Sequence, residues 1–187
     1  MMHDGTFKRK HLIYLTGFMG CGKSTIGPIL ANTLGYAYAD VDRLIEARVG
    51  KSVNEIFREE GERFFREVEQ NVVRELSQRD HHVVSLGGGS VVNPDTFELI
   101  KQSGILVYLY SSPSQLFKRL QHKTDRPVLA GNDGAPLAQE ELRERVAQLF
   151  AAREPLYAQA QLTVHTDEKK IGLTVDEIVR RISQLLK

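Results

Sequence analysis

The chain has 187 residues, 41% hydrophobic and 26% charged, with a formal net charge of +1. That balance suits one ordinary globular domain and gives no electrostatic case for a nucleic-acid or membrane partner. A single cysteine, Cys21, excludes an internal disulfide and suits a reducing compartment, so a cytoplasmic protein is expected. No apolar run approaches bilayer-spanning length. Residues 1–10 end in Lys8-Arg9-Lys10 and read as a solvated leader, not a signal peptide.

The first element is a strand, Leu12–Thr16. It leads into Gly17-Phe18-Met19-Gly20-Cys21-Gly22-Lys23-Ser24-Thr25, which reads G-x-x-x-x-G-K-S. A helix over about Lys23–Leu34 follows, with Gly35 suited to its C-terminal cap. Strand, loop and helix in that order are the context a phosphate-binding loop needs. Glycines let the backbone fold around an anion, Lys23 offers a charge to the β- and γ-phosphates, and Ser24 offers a hydroxyl to Mg²⁺. The helix start adds unpaired N–H groups and a positive dipole end. Cys21 reads as a small filler. Pro28 lies inside the helix and invites a bend.

Tyr36–Ala39 reads as a short second strand ending at Asp40-Val41-Asp42, followed by a helix over Arg43–Val49 that Gly50 closes. Ser52-Val53-Asn54-Glu55 is a capping box and opens a helix that stops near Gly61. A longer helix, about Glu62–Gln78, carries Phe64, Phe65, Val68, Val72, Val73 and Leu76 at helical spacing. The third strand, Val83–Leu86, ends in Gly87-Gly88-Gly89. Asn93-Pro94 and Ser112-Pro113 each read as an N-cap with proline at the first helical position, and the fourth strand, Ile105–Tyr110, lies between those helices. Residues 122–137 lack periodicity and hold Asp125-Arg126-Pro127, a length that marks a functional lid. A helix over about Gln139–Glu154 ended by Pro155, a short strand Leu162–Val164, and a helix opened by the capping-box match Thr174-Val175-Asp176-Glu177 complete the chain.

Strands alternating with helices predict an α/β fold of three layers, a parallel sheet covered on both faces. Ligands in such sheets bind beyond the carboxyl ends of the strands. The phosphate loop, the Asp40/Asp42 pair and the triple glycine all follow strands. If the backbone at Asp40–Asp42 stays extended, the two side chains point in opposite directions, one toward Mg²⁺ and one toward an acceptor. Solvated turn carboxylates or a helix N-cap are the plainer alternative. Gly87–Gly89 suggests backbone in close approach to a ligand, or simply a flexible turn. Arg66 shares a helix with Phe65 and Glu69 and is placed to clamp an anion bidentately. Arg126 is placed to close over the γ-phosphate. For both arginines the alternative is a solvated surface position.

Taken together, these motifs resemble shikimate kinase, a family of P-loop kinases of small metabolites. The resemblance runs from about Leu12 to the last helix. It includes the phosphate loop, Asp40-x-Asp42, the segment Gly61–Glu69, Gly87-Gly88-Gly89, Asp125-Arg126-Pro127-Val128-Leu129 and Arg153-Glu154-Pro155-Leu156-Tyr157. It implies a single domain over 1–187 with a doubly wound five-stranded sheet of order 2-3-1-4-5, a substrate subregion at about 41–70 and a mobile lid at about 122–137. It implies transfer of the ATP γ-phosphoryl to shikimate, with Mg²⁺, by a monomer. ATP would meet Gly20, Cys21, Gly22, Lys23, Ser24, Thr25, Arg119 and Arg126, with Arg119 near adenine. Lys23, Asp42 and Arg126 would be catalytic, and Ser24 and Asp40 would hold the metal, Asp40 through water. Shikimate would meet Asp42, Phe57, Phe65, Arg66, Glu69, Gly87, Gly88, Gly89 and Arg153. Whether Asp42 takes the proton or only orients the hydroxyl stays open. Pro28 and the small residues of Gly131–Ala135 depart from the family pattern.

Three rivals remain at this stage: a kinase of another small acceptor such as gluconate or a nucleotide, a GTPase-like switch, and an inactive sensor. The two arginines speak against a nucleotide acceptor. D-x-x-G and N-K-x-D patterns after the loop, expected of a switch, are missing from the sequence. The intact Lys23, Ser24, Asp40 and Asp42 speak against an inactive sensor.

Overall fold

The computed structural model describes residues 11–121 and 137–185. Five strands form one parallel sheet of order β2-β3-β1-β4-β5: β1 (Leu12–Thr16), β2 (Ala37–Asp40), β3 (His82–Ser85), β4 (Ile105–Tyr110) and β5 (Leu162–His165). The expected strand order is therefore the observed one. All five residues of β1 are buried, as a central parallel strand covered on both faces requires.

Helix α1 (Lys23–Leu34) leaves the end of β1 and packs on the sheet through Ile26, Gly27, Leu30 and Ala31. A Cβ on Gly27 would sit 2.9 Å from Ser85 Oγ and press on the Tyr38 ring, so this glycine permits close helix–sheet contact. Pro28 is on the exposed side of α1. Gly35 ends the helix at φ 69°, the left-handed conformation that suits a glycine cap.

Helices α2 (Val41–Val49), α3 (Val53–Glu59) and α4 (Gly61–Leu76) follow β2. The Ser52/Glu55 capping box is present in both directions. Helix α4 buries Phe65, Glu69, Val72, Val73 and Leu76 along one stripe. Each of the four apolar side chains contributes about 1.5–3 kcal/mol when removed from water. Helix α5 (Pro94–Ser103) starts as expected, with Asn93 accepting from the Thr96 amide at 3.0 Å. Helices α6 (Pro113–Leu120), α7 (Gln139–Tyr157) and α8 (Ile171–Leu185) complete the described chain.

Four local expectations are corrected. Helix α2 starts at Val41, not Arg43, because the Asp40 carboxylate accepts the Arg43 amide at 3.2 Å and acts as N-cap. Asp42 therefore stands in the first helical turn, and the extended alternation of Asp40 and Asp42 does not occur. Pro155 does not end α7. The proline removes one donor, but Ala158 N still donates to Glu154 O at 2.9 Å, so the last turn closes. Thr174 does not open α8, since its amide donates to Lys170 O at 3.2 Å and the helix already runs from Ile171. Ser112 and Pro113 start α6 as expected, although the Ser112 side chain caps no amide; its own amide donates to Asp167 Oδ2 at 2.8 Å.

Candidate active site

The phosphate loop turns through three left-handed glycines, Gly17 at φ 135°, Gly20 at 82° and Gly22 at 109°. A Cβ on Gly17 would lie 2.6 Å from the Leu109 carbonyl oxygen, so the loop passes tightly against the end of β4. Cys21 N donates to Phe18 O at 3.2 Å, and Thr25 N and Ile26 N donate to Gly22 O at 3.1 and 2.9 Å. These bonds set the turn of the loop, and the Lys23 ammonium folds back across it. The ammonium is held there by Gly17 O at 2.7 Å and Phe18 O at 3.2 Å.

Lys23, Ser24, Asp40 and Asp42 line one cavity of about 360 Å³ with Met19, Val53 and Gly88. Asp40 reaches it from the end of β2, fixed by Tyr38 OH at 3.3 Å and by the Arg43 amide. Asp42 reaches it from the first turn of α2, with Oδ1 close to the Gly87 backbone. An exposed serine hydroxyl and an aspartate beside a phosphate loop are hard oxygen donors of the kind Mg²⁺ takes.

A second cavity lies alongside, lined by Asp42, Phe57, Phe65, Arg66, Glu69, Gly87, Gly88, Gly89 and Arg153. Met19, Asp42, Val53 and Gly88 border both cavities, so the two are compartments of one cleft. Arg66 donates to Glu69 Oε2 at 2.7 Å and to Glu62 Oε1 at 3.1 Å. Glu69 is only 2% exposed and takes Ser90 Oγ on its other oxygen at 2.6 Å. Burial works against the Arg66 charge, but the carboxylates of Glu69 and Glu62 outweigh it and raise the guanidinium pKa. Phe65 lies 5.3 Å beneath that guanidinium, and Phe57 packs on Phe65 with centroids 4.7 Å apart. On α7, Arg153 and Tyr157 are one turn apart, and both donate to Gly88 O. The product is a fixed cationic wall facing a carboxylate across a pocket with an aromatic floor.

Across the loop, Gly20, Cys21, Gly22, Thr25 and Arg119 line a third cavity of about 250 Å³ with Thr166 and Lys169. Arg119 donates to Gly20 O at 3.0 Å and stands 3.9 Å from Asp167.

Every described candidate residue lines one of these three spaces. Arg126 and the expected lid at 122–136 lie outside the described residues. Sequence reasoning missed Ser90, Tyr157 and Asp167. Tyr157 had a signal, the four-residue spacing from Arg153 on one helix. Ser90 and Asp167 had none, because their partners lie 21 and 55 or more residues away.

A phosphate loop at the end of the first strand, on a sheet of this order, with an acidic and cationic cleft beside it, defines a P-loop kinase. A family model described as shikimate kinase matches residues 19–186. The shikimate kinase of Chlorobaculum tepidum is 52% identical over 180 residues, covering 96% of this chain and 94% of that protein. Among solved structures, a shikimate kinase from Acinetobacter baumannii in complex with shikimate aligns with a TM-score of 0.85 and 33% identity, covering 95% of this chain and 96% of that one. One from Bacteroides thetaiotaomicron aligns at 0.81 with 36% identity, covering 94% and 97%. The chain belongs to the shikimate kinase family.

Among the described residues, no helix is long and apolar enough to cross a membrane.

Proposed function

We propose that the chain transfers the γ-phosphoryl group of ATP to a hydroxyl of shikimate, giving shikimate 3-phosphate and ADP. The observation that carries this reading is the Ser90–Glu69–Arg66 chain, which aims a guanidinium into the compartment that Asp42 borders. Shikimate carries a carboxylate at one end of its ring and hydroxyls at the other. Arg66, Arg153 and the Gly88–Gly89 amides bind the carboxylate, and the ring lies against Phe57 and Phe65. The hydroxyl end then faces Asp42 and the phosphate loop.

Phosphoryl transfer needs positioning and charge neutralisation more than covalent help from the protein. Lys23 and the loop amides bind the β- and γ-phosphates. Ser24, and Asp40 through water, would hold Mg²⁺, which when bound would neutralise phosphate charge. Asp42 accepts a hydrogen bond from the attacking hydroxyl and so points its oxygen at the γ-phosphorus. The new O–P bond forms as the bond to the β–γ bridging oxygen breaks, ADP leaves, and the hydroxyl proton passes to Asp42 or to water. Arg119 lies beside adenine, and Arg126 takes the γ-phosphate. All of these residues come from one chain, so a monomer suffices.

Calorimetric titration of shikimate into the wild type and into Arg66→Ala tests the acceptor side. Binding weakened by roughly 1.5–3 kcal/mol, the worth of a charged hydrogen bond, is expected. Equal affinity would remove Arg66 from the pocket.

A further inference from the structure

At the end of the sheet opposite the phosphate loop, three metal-ligating side chains meet. His11 immediately precedes β1, and Asp80 and His81 lie in the turn before β3. The two strands are parallel neighbours in the register Leu12↔His82, and His82 N donates to His11 O at 3.2 Å. The ladder itself therefore brings together segments 69 residues apart.

Among the described residues, this is the one group of three such side chains whose ligating atoms all lie within 4.8 Å of one another. His11 Nδ1 is 3.6 Å from Asp80 Oδ1, and His81 Nδ1 is 3.2 Å from Asp80 Oδ2. The imidazoles stack with centroids 4.6 Å apart, and Tyr36 meets both rings edge-on. The amides of His11 and His81 donate to Asp80 Oδ1 at 2.6 and 3.0 Å and fix the carboxylate. His81 adopts φ 52°, a conformation few non-glycine residues take.

We propose that His11, Asp80 and His81 form a binding site for a divalent transition-metal ion of the zinc class, with water completing the coordination. Two imidazoles and one carboxylate are a donor set for Zn²⁺, Ni²⁺ or Cu²⁺, whereas Mg²⁺ and Ca²⁺ take oxygen ligands. Zn²⁺ binds such ligands at about 2.0–2.2 Å, which places ligands of a tetrahedral ion about 3.4 Å apart. The His11–Asp80 and His81–Asp80 separations, to Oδ1 and Oδ2 respectively, lie on either side of that value, and all three ligating atoms lie within 4.8 Å of one another. Bound there, the ion ties the residue before β1 to the turn before β3. It acts as a staple at the far end of the sheet, separate from the Mg²⁺ of phosphoryl transfer. The competing account is a surface cluster held by its own hydrogen bonds and ring contacts that takes up no metal.

The full chain, stripped with chelator and free of nucleotide, is titrated with Zn²⁺ alone and followed by calorimetry and thermal melting. Binding of one Zn²⁺ per chain at this site is expected, with a rise in Tm that Mg²⁺ does not reproduce. His11→Ala and His81→Asn should each lose that binding and that rise. Asparagine tolerates the left-handed backbone, so an unchanged Tm without metal and unchanged Mg²⁺-dependent turnover verify the fold. Ser24→Ala should keep the Zn²⁺ response. Failure of the wild type to bind Zn²⁺ stoichiometrically, or equal binding by both histidine variants, would overturn the proposal.

Discussion

Ser90 donates through Oγ to Glu69 Oε1 at 2.6 Å, while Glu69 Oε2 receives Arg66 at 2.7 Å. A carboxylate 2% exposed is thereby satisfied on both oxygens, one neutral donor setting the angle at which a cation is presented. Ser90→Ala leaves Oε1 without that donor. A stability loss of about 1–3 kcal/mol is expected, with a raised KM for shikimate and an unaltered KM for ATP. Urea denaturation and steady-state kinetics measure both, and an unchanged shikimate KM would take Ser90 out of the positioning chain.

Gly89 tests the same wall from the backbone side. A Cβ there would overlap the Arg66 guanidinium, with NH1 at 2.8 Å and Cζ at 2.9 Å. Because Arg66 is already held by Glu69 and Glu62, it cannot swing aside without losing them. Gly89→Ala should raise the shikimate KM roughly tenfold, the equivalent of about 1.4 kcal/mol. A variant with wild-type KM would show that the guanidinium relocates freely.

Lys23 is the cation that the loop carbonyls of Gly17 and Phe18 hold at the phosphate position. Lys23→Met removes a charge aimed where negative charge is redistributed in the transition state. Turnover should fall by roughly 10²–10³-fold. Near-normal kcat would exclude it from the chemistry.

Asp167 supplies a pH dependence. Burial pushes its carboxyl up, but hydrogen bonds from Ser111 and Ser112, with Arg119 nearby, outweigh burial and hold it below the ordinary value of 3.8. The unfolded chain therefore takes up this proton first as pH falls. The stabilisation is complete above that ordinary value and disappears as pH drops through the lower folded-state pKa. The stability gap between wild type and Asp167→Asn should be constant from pH 7 to pH 5 and shrink as pH falls below that ordinary value. A gap that does not change with pH would contradict this.

Much of the fold was legible because its signals are local. The strand–loop–helix unit at Leu12–Leu34, the Ser52/Glu55 box and the Asn93-Pro94 start all depend on neighbours within a few residues. Asp42, Pro155 and Thr174 were misplaced where an unexpected cap or continued backbone hydrogen bonds outweighed a local rule. Asp40 capped α2 earlier than expected, and α7 carried its hydrogen bonds past a proline so that Tyr157 reaches Gly88. At the site, the loop glycines, Lys23, Arg66 and Arg153 were named in advance because residue type and order suffice for them. Ser90 and Asp167 act through hydrogen bonds to distant segments, and no pattern in a single sequence encodes such a pair.

The central claim is that the cleft beside the phosphate loop selects shikimate as the phosphoryl acceptor. ATP consumption at saturating Mg²⁺, measured with shikimate, gluconate and a nucleoside monophosphate in turn, tests it most directly. The account predicts shikimate-dependent turnover far above that with either alternative. Turnover that is absent with shikimate, or faster with gluconate or the nucleotide, would contradict it.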